Sequence, residues 1–268
     1  MNRLKILFAL ACLLCARRAR AQVDPFEFEV YGYQTLGAGV AELESLNSFV
    51  PKGHDEGDVG LSRGDLPGDK MYRTALEGAY GITDKIEAAA YVNFAHPNGH
   101  SFLYAGSKYR LRGSLFEQGE LPVDLGWYVE LDWHKVPQFD GTELELEFKP
   151  IVQRDLGRLS IILNPLFEKA LNGPEQSKAI EFGYAAGIYY DLFRSISPGV
   201  EFYGGIGLID DVDPLEDQQH YIMPVFRGRL PLGLEYNVGA GFGLTRGSDD
   251  VVTKVNIEFE KFVGRLFG

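Results

Sequence analysis

Three short stretches carry charge at every second position: Lys108, Arg110 and Arg112; Glu130 and Asp132; Glu143 and Glu145. A spacing of two puts side chains on one side of an extended chain, so each stretch presents a charged row. With turns centred near 119–120 and 137–138, antiparallel pairing sets Lys108 and Arg110 opposite Asp132 and Glu130. Those in turn face Glu143 and Glu145. Like charges directly opposed across strands repel, and the basic row compensates them. This arrangement has two chemical uses: a salt-bridge network that stiffens a wall, or a constriction that sorts solutes by charge. A catalytic carboxylate pair is a third and weaker reading. A one-residue slip in register would move the whole set to the other face.

Other reactive residue types offer less. The five histidines, His54, His96, His100, His134 and His220, fall at predicted loop-side ends of strands, and no pair has diagnostic metal-ligand spacing. The acidic run Asp55-Glu56-Gly57-Asp58, with Asp65 and Asp69, lacks the EF-hand pattern and reads as a solvated loop. Closely spaced glycines at 204–207 and 239–243 lie inside strands with no helix after them, so they do not cradle phosphate. A lipid hydrolase would need Ser and His within reach on a lipid-facing surface. Ser107 and His134 fall on unsuitable faces. No catalytic residue, metal or cofactor is expected.

The elements that must position these rows are strands. In 178–191, Ile180, Phe182, Tyr184, Ala186, Ile188 and Tyr190 alternate with small or charged residues, and the same period of two recurs in 123–134, 142–149 and 234–245. Twelve strands are predicted, at 39–50, 70–82, 85–96, 102–113, 122–134, 141–153, 158–170, 178–192, 198–210, 220–230, 234–246 and 250–262. The first alternates weakly. Compact connections alternate with longer ones, which is the layout of an all-β, antiparallel up-and-down transmembrane barrel.

The strands exceed the ~9–11 residues that cross a bilayer at a tilt. Tyr72 and Tyr80 lie about 26 Å apart along one face, near the spacing of aromatic girdles. A soluble sandwich or lipocalin-like barrel is the competing fold. It is disfavoured because the polar face mixes Gly and Ala with charges, and because about twelve strands enclose more space than apolar side chains fill easily. Fourteen acidic against eight basic residues on the predicted inner face leave it net negative, so a pore there would favour cations or neutral solutes.

Residues 1–21 are a separate unit. Arg3 and Lys5, the apolar stretch Ile6–Ala16 and the small-x-small site Ala19-Arg20-Ala21 read as a cleaved secretory signal. Residues 22–38 form an N-terminal extended segment, and 39–268 the barrel. Without the signal, 21 basic residues face 38 acidic ones, a net charge of −17, and both cysteines are gone. That balance argues against nucleic acid, which needs clustered cations. An apolar share of 45% and a charged share of 24% exclude a disordered chain, and no helix-forming apolar run of about 18 residues follows the signal. The expected partners are outer-membrane lipid, small-molecule solutes and the barrel-assembly machinery, and the expected location is the cell outer membrane.

The run Glu77-Gly-Ala-Tyr80-Gly81-Ile82-Thr83-Asp84-Lys85-Ile86-Glu87, the segment His220-Tyr221-Ile222-Met223-Pro224, and Gly239-Ala-Gly241-Phe242-Gly243-Leu244-Thr245 with Ser248-Asp249 together resemble a family. It is that of the outer-membrane transporters associated with meta-pathway phenol degradation, and the resemblance spans most of the mature chain. It implies an outer-membrane barrel serving as a passive channel or uptake route for small solutes, with aromatic compounds as a cargo class. It brings no catalytic residues. Lys261–Gly268 continues past the aromatic residues Phe259 and Phe262 of the last strand, where many such barrels end. The alternatives are a structural or adhesive barrel with a plugged lumen and, less favoured, a lipid hydrolase.

Overall fold

The computed structural model describes residues 23–54, 68–135, 144–193 and 195–264. The predicted signal at 1–21, the acidic residues 55–58 and Asp65, and Glu143 lie outside them.

Alternating sequences form strands here because each pleat sends successive side chains to opposite faces, one toward the interior and one away. Thirteen strands form in chain order: β1 (Val40–Lys52), β2 (Tyr72–Thr83), β3 (Ile86–His96), β4 (Leu103–Ser114), β5 (Asp124–His134), β6 (Leu144–Leu156) and β7 (Leu159–Ala170). They continue with β8 (Glu181–Tyr190), β9 (Ser197–Leu208), β10 (Asp211–Val212), β11 (Gln219–Arg229), β12 (Leu234–Gly243) and β13 (Val251–Phe262). Twelve form a closed antiparallel barrel in which each pairs with its sequence neighbours and β13 returns to β1. β10 is a two-residue ladder on the end of β9. All twelve predicted strands are present.

β1 is a full strand despite its weak alternation. Its inner face carries Leu46 and Val50, which are buried, because this part of the interior is packed rather than wet. The connection between β12 and β13 covers 244–250, longer than the predicted 247–249, because β12 stops at Gly243. It therefore joins the set of longer loops at one end of the barrel. The opposite, turn end holds the two-residue link Gly157-Arg158 and the other compact turns.

The charged rows lie on the inner face. Lys108 pairs with Asp132, and Arg110 with Glu130, in the predicted register. The next pairing differs by two residues: Asp132 faces Glu145, and Glu130 faces Glu147. The β5–β6 connection is centred one residue later than predicted. A shift of two keeps every side chain on its face, so the polarity of the wall is unchanged.

The outer face is apolar. Leu43, Leu76, Tyr109, Phe148, Leu163, Ile188, Phe226 and Ile257 are exposed on strands, while Lys108, Arg110, Glu130, Glu201 and Lys254 are buried inside. Charge within and hydrocarbon without is the reverse of a water-soluble barrel and fits a wall surrounded by lipid.

Candidate functional site: a lumen crossed by the N-terminal segment

Residues 23–38 run through the lumen as an extended strap. At the loop end, the Val23 amide donates to Gln219 Oε1 at 2.8 Å. At the turn end, the Leu36 amide donates to Glu87 Oε2 at 2.7 Å, and the Ala38 amide to Asp84 Oδ1 at 3.0 Å. The chain then passes through Gly39 into β1. Its exit runs so close to the wall that a Cβ at Gly81 would meet the Gly37 carbonyl oxygen at 2.1 Å.

An extended segment without a partner strand must satisfy its backbone in another way. Side chains of the wall do so. Asn164 accepts from the Tyr31 amide at 2.8 Å and donates to the Tyr31 carbonyl at 3.0 Å. Gln153 Oε1 accepts from the Tyr33 amide at 2.8 Å, Lys254 donates to the Phe28 carbonyl at 2.9 Å, and Ser48 to the Pro25 carbonyl at 3.1 Å. The strap's apolar side chains pack into four patches of the inner wall. Val23, Phe28 and Val30 meet Tyr203, Tyr221, Met223 and Val252; Phe26 meets Met71 and Ala105; Tyr31 meets Tyr128 and Ile151; Leu36 meets Leu46 and Tyr91. Small residues make room on the wall: Tyr189 lies so flat that a Cβ at Gly187 or Gly199 would approach its ring to 2.4–2.5 Å.

Most of the sequence-predicted charged set converges on this strap. Lys108, 2% exposed, bonds Glu130 at 2.9 Å and Glu27 of the strap at 3.2 Å, pairs with Asp24 of the strap, and lies 3.4 Å from Asp132. Lys149 joins Glu27 at 3.2 Å and Glu147 at 2.6 Å, and Tyr128 donates to Glu27 at 3.2 Å. Arg110 pairs with Glu77 at 2.6 Å and Glu87 at 2.9 Å. Its guanidinium also lies 5.2 Å from the Tyr31 ring centre and 5.4 Å from that of Tyr91, within cation–π range. Arg112 bonds Glu87 at 2.9 Å. Glu145 stands apart from the strap, 3.7 Å from His134.

Among the described residues, two cavities lie beside the strap. A cavity of about 820 Å³ opens at the turn end, bounded by Glu29, Tyr31, Arg112, Arg158, Arg227 and Tyr236. At the loop end about 30 Å³ remains, beside Asp24, Lys108, Asp132, His134 and Glu145. Sequence reasoning did not place Asn164, Gln153, Glu42 or Glu44 at the site. An inward-facing amide side chain within the apolar run of β7 was the available signal for Asn164; Gln153 lies in the charged strand β6, which offered none.

The histidines do not converge. His54 bonds the Arg246 carbonyl at 2.8 Å and lies 3.3 Å from Asp249, His220 bonds Tyr184 at 3.0 Å, and His134 lies by Asp132 and Glu145. Ser107 pairs across strands with outward-facing Trp133, whereas His134 lines the inner pocket, so the two do not form a hydrolase pair. Tyr72 and Tyr80 both point outward, donating to Asn47 at 2.6 Å and to the Gly264 carbonyl at 2.9 Å.

No family model matches the sequence, and no curated protein matches it. Among solved structures, an outer-membrane channel from Pseudomonas putida F1 is similar with a TM-score of 0.56 at 11% identity, covering 90% of this chain and 100% of that one. A mutant of the monoaromatic hydrocarbon channel TodX is similar with a TM-score of 0.40 at 8% identity, covering 85% of this chain and 91% of the other. LpxR from Salmonella typhimurium scores 0.40 at 10% identity, covering 82% and 99%. The first of these likenesses establishes the fold, that of an outer-membrane β-barrel.

Proposed function

We propose that the chain is an outer-membrane channel for small solutes whose conductance is set by the N-terminal strap. The observation that carries this reading is the strap itself, bound across the lumen by side chains and ion pairs and not by a strand ladder. Such contacts are individually worth about 0.5–3 kcal/mol, and none of them is a hydrogen bond of the barrel's own strand ladder. Lys108, Arg110, Arg112, Glu130, Asp132 and Glu145 then form the constriction together with Asp24 and Glu27 of the strap. The wall around it is rich in carboxylates, so cations and neutral solutes pass in preference to anions. The resemblance to the meta-pathway phenol family and the aromatic lining at Tyr31, Phe193 and Tyr236 make small aromatic compounds the favoured cargo. The apolar exterior supports insertion among outer-membrane lipids, delivered by the barrel-assembly machinery after signal removal.

A second reading is favoured by the 30 Å³ left at the loop end: a barrel plugged for a structural role. One experiment separates the two. Planar-bilayer conductance and liposome swelling are measured for the mature chain and for a variant lacking residues 23–36. Flux in the mature chain that rises several-fold on deletion supports the channel. Absence of flux from the mature chain, with phenol-sized solutes included, supports the structural barrel. Anion selectivity at neutral pH would contradict the charge argument.

A further inference from the structure

Arg227 of β11 borders the cavity of about 820 Å³ at the turn end. Its guanidinium lies over the Tyr189 ring, 3.4 Å from the centroid, which covers one face of the fork and leaves its N–H edge to other partners. Across the strands it faces Ser197 of β9 and Asn237 of β12, so no acid stands opposite it. Lys108, Arg110, Arg112, Lys149 and Lys254 each reach a carboxylate at 2.6–2.9 Å. Arg227 has no carboxylate at ion-pair distance and no hydrogen-bond acceptor among the described residues. A half-buried cation in that state favours an incoming anion.

Asn237 is its complement. This side chain is 8% exposed and lines the same cavity. Its Nδ2 donates to Glu201 at 2.9 Å, which fixes the way the amide points. Oδ1 is left without a donor. Directly opposed residues on paired strands have Cα atoms about 4.5–5.5 Å apart, so the open fork and the open acceptor can serve neighbouring atoms of one ligand.

The surroundings select that ligand's charge. One pleat nearer the turns, Glu235 and Glu258 face each other across β12 and β13 and border the cavity. Arg229 pairs with Glu235 and reaches Glu260 at 3.7 Å, and Glu258 has no Lys or Arg at ion-pair distance among the described residues. A simple anion would meet Arg227 but be repelled by these carboxylates, and a simple cation would leave Arg227 unmet. A carboxylate beside an ammonium satisfies both. Phe193 and Tyr236 add aromatic surface to the same cavity.

We propose that Arg227 and Asn237 form a subsite for a small α-amino acid. Its carboxylate lies on the Arg227 fork, its ammonium donates to Asn237 Oδ1, and an aromatic side chain is preferred. Such a ligand carries no net charge, so the carboxylate-rich wall admits it. As a solute class for the pore this rests on the channel reading; binding itself does not.

The test uses the full mature chain refolded in non-ionic detergent, with phenylalanine, phenylpropanoate, phenethylamine and phenol as probes in isothermal titration. Phenylpropanoate lacks the ammonium, and phenethylamine lacks the carboxylate. One phenylalanine per chain is expected, with each of the other three binding about ten-fold more weakly or worse, because each leaves a polar partner unmet. Arg227→Gln should lower phenylalanine affinity about ten-fold or more and leave phenethylamine affinity unchanged, a split that a merely structural role would not produce. Arg227→Lys serves as the second variant if the first fails to fold; it keeps the charge, loses the fork and should bind phenylalanine several-fold more weakly. Arg246→Gln, on an exposed loop, should change nothing. The proposal is overturned if millimolar phenylalanine gives no heat signal with the parent, if phenylpropanoate binds as tightly as phenylalanine, or if folded Arg227→Gln keeps the parent's affinity. Phenylalanine binding without liposome flux would sustain the subsite and count against the channel; phenol flux without phenylalanine binding would do the reverse.

Discussion

Lys108 illustrates how far a single residue is readable. Its position, its inward face and its pairing with Asp132 all follow from alternation and turn placement. Its contacts with Asp24 and Glu27 do not, because they depend on a segment whose alternation does not betray its path. Asp249, in the loop between β12 and β13, offers a test at the same scale. Burial raises its pKa, but bonds from the His54 ring and amide and the charge of Arg73 outweigh that, holding the carboxyl below its ordinary value. A depressed folded pKa contributes stability that is present above the unfolded value and lost as pH falls through the folded one. Asp249→Asn should therefore cost about 1–2 kcal/mol at neutral pH. The difference from the parent should shrink below about pH 4, as read by urea unfolding in detergent across a pH series.

At the scale of elements, the twelve barrel strands were legible because each has lipid on one face and a polar or packed interior on the other. β1 was the exception. Leu46 and Val50 point inward against packed neighbours, so its two faces contrast little. The strap was legible only as an extended piece, since Phe26, Phe28 and Val30 alternate as well in a strand as in a plug. Asn164 distinguishes the two. It makes the pair of hydrogen bonds to Tyr31 that a neighbouring strand would otherwise make. Asn164→Leu should leave the buried amide and carbonyl of Tyr31 unpaired, weakening strap binding by about 1–3 kcal/mol per group. Hydrogen exchange should show the Tyr31 amide losing protection while the amides of β7 and β8 keep theirs.

For the molecule as a whole, apolar composition divides between an outer belt and the interior packing around the strap. Alternation predicts the belt and misses the filling, which explains why a twelve-stranded interior was expected to be largely polar. The belt has a direct test. Leu76, 51% exposed and midway between Tyr72 and Tyr80, should sit near the bilayer midplane. Leu76→Arg should cost about 2–4 kcal/mol of folding free energy in lipid vesicles. Leu232→Arg, in the β11–β12 turn and 91% exposed, should cost about 0–1 kcal/mol in the same assay.

If the chain conducts as proposed, the unequal spaces on either side of the strap make the lumen an electrical divider. In the proposed channel two resistances lie in series, and the larger share of an applied voltage falls across the narrower one, near Lys108. The strap carries Asp24, Glu27 and Glu29 and no basic residue. It is tethered to β1 only at the turn end. A field exerts about 2.3 kcal/mol per charge per 100 mV across its full drop. A potential positive on the turn side draws the strap out along its tether, and the opposite sign seats it more firmly. Current–voltage traces of oriented single channels should therefore rectify, with step increases at one polarity that vanish when residues 23–36 are removed.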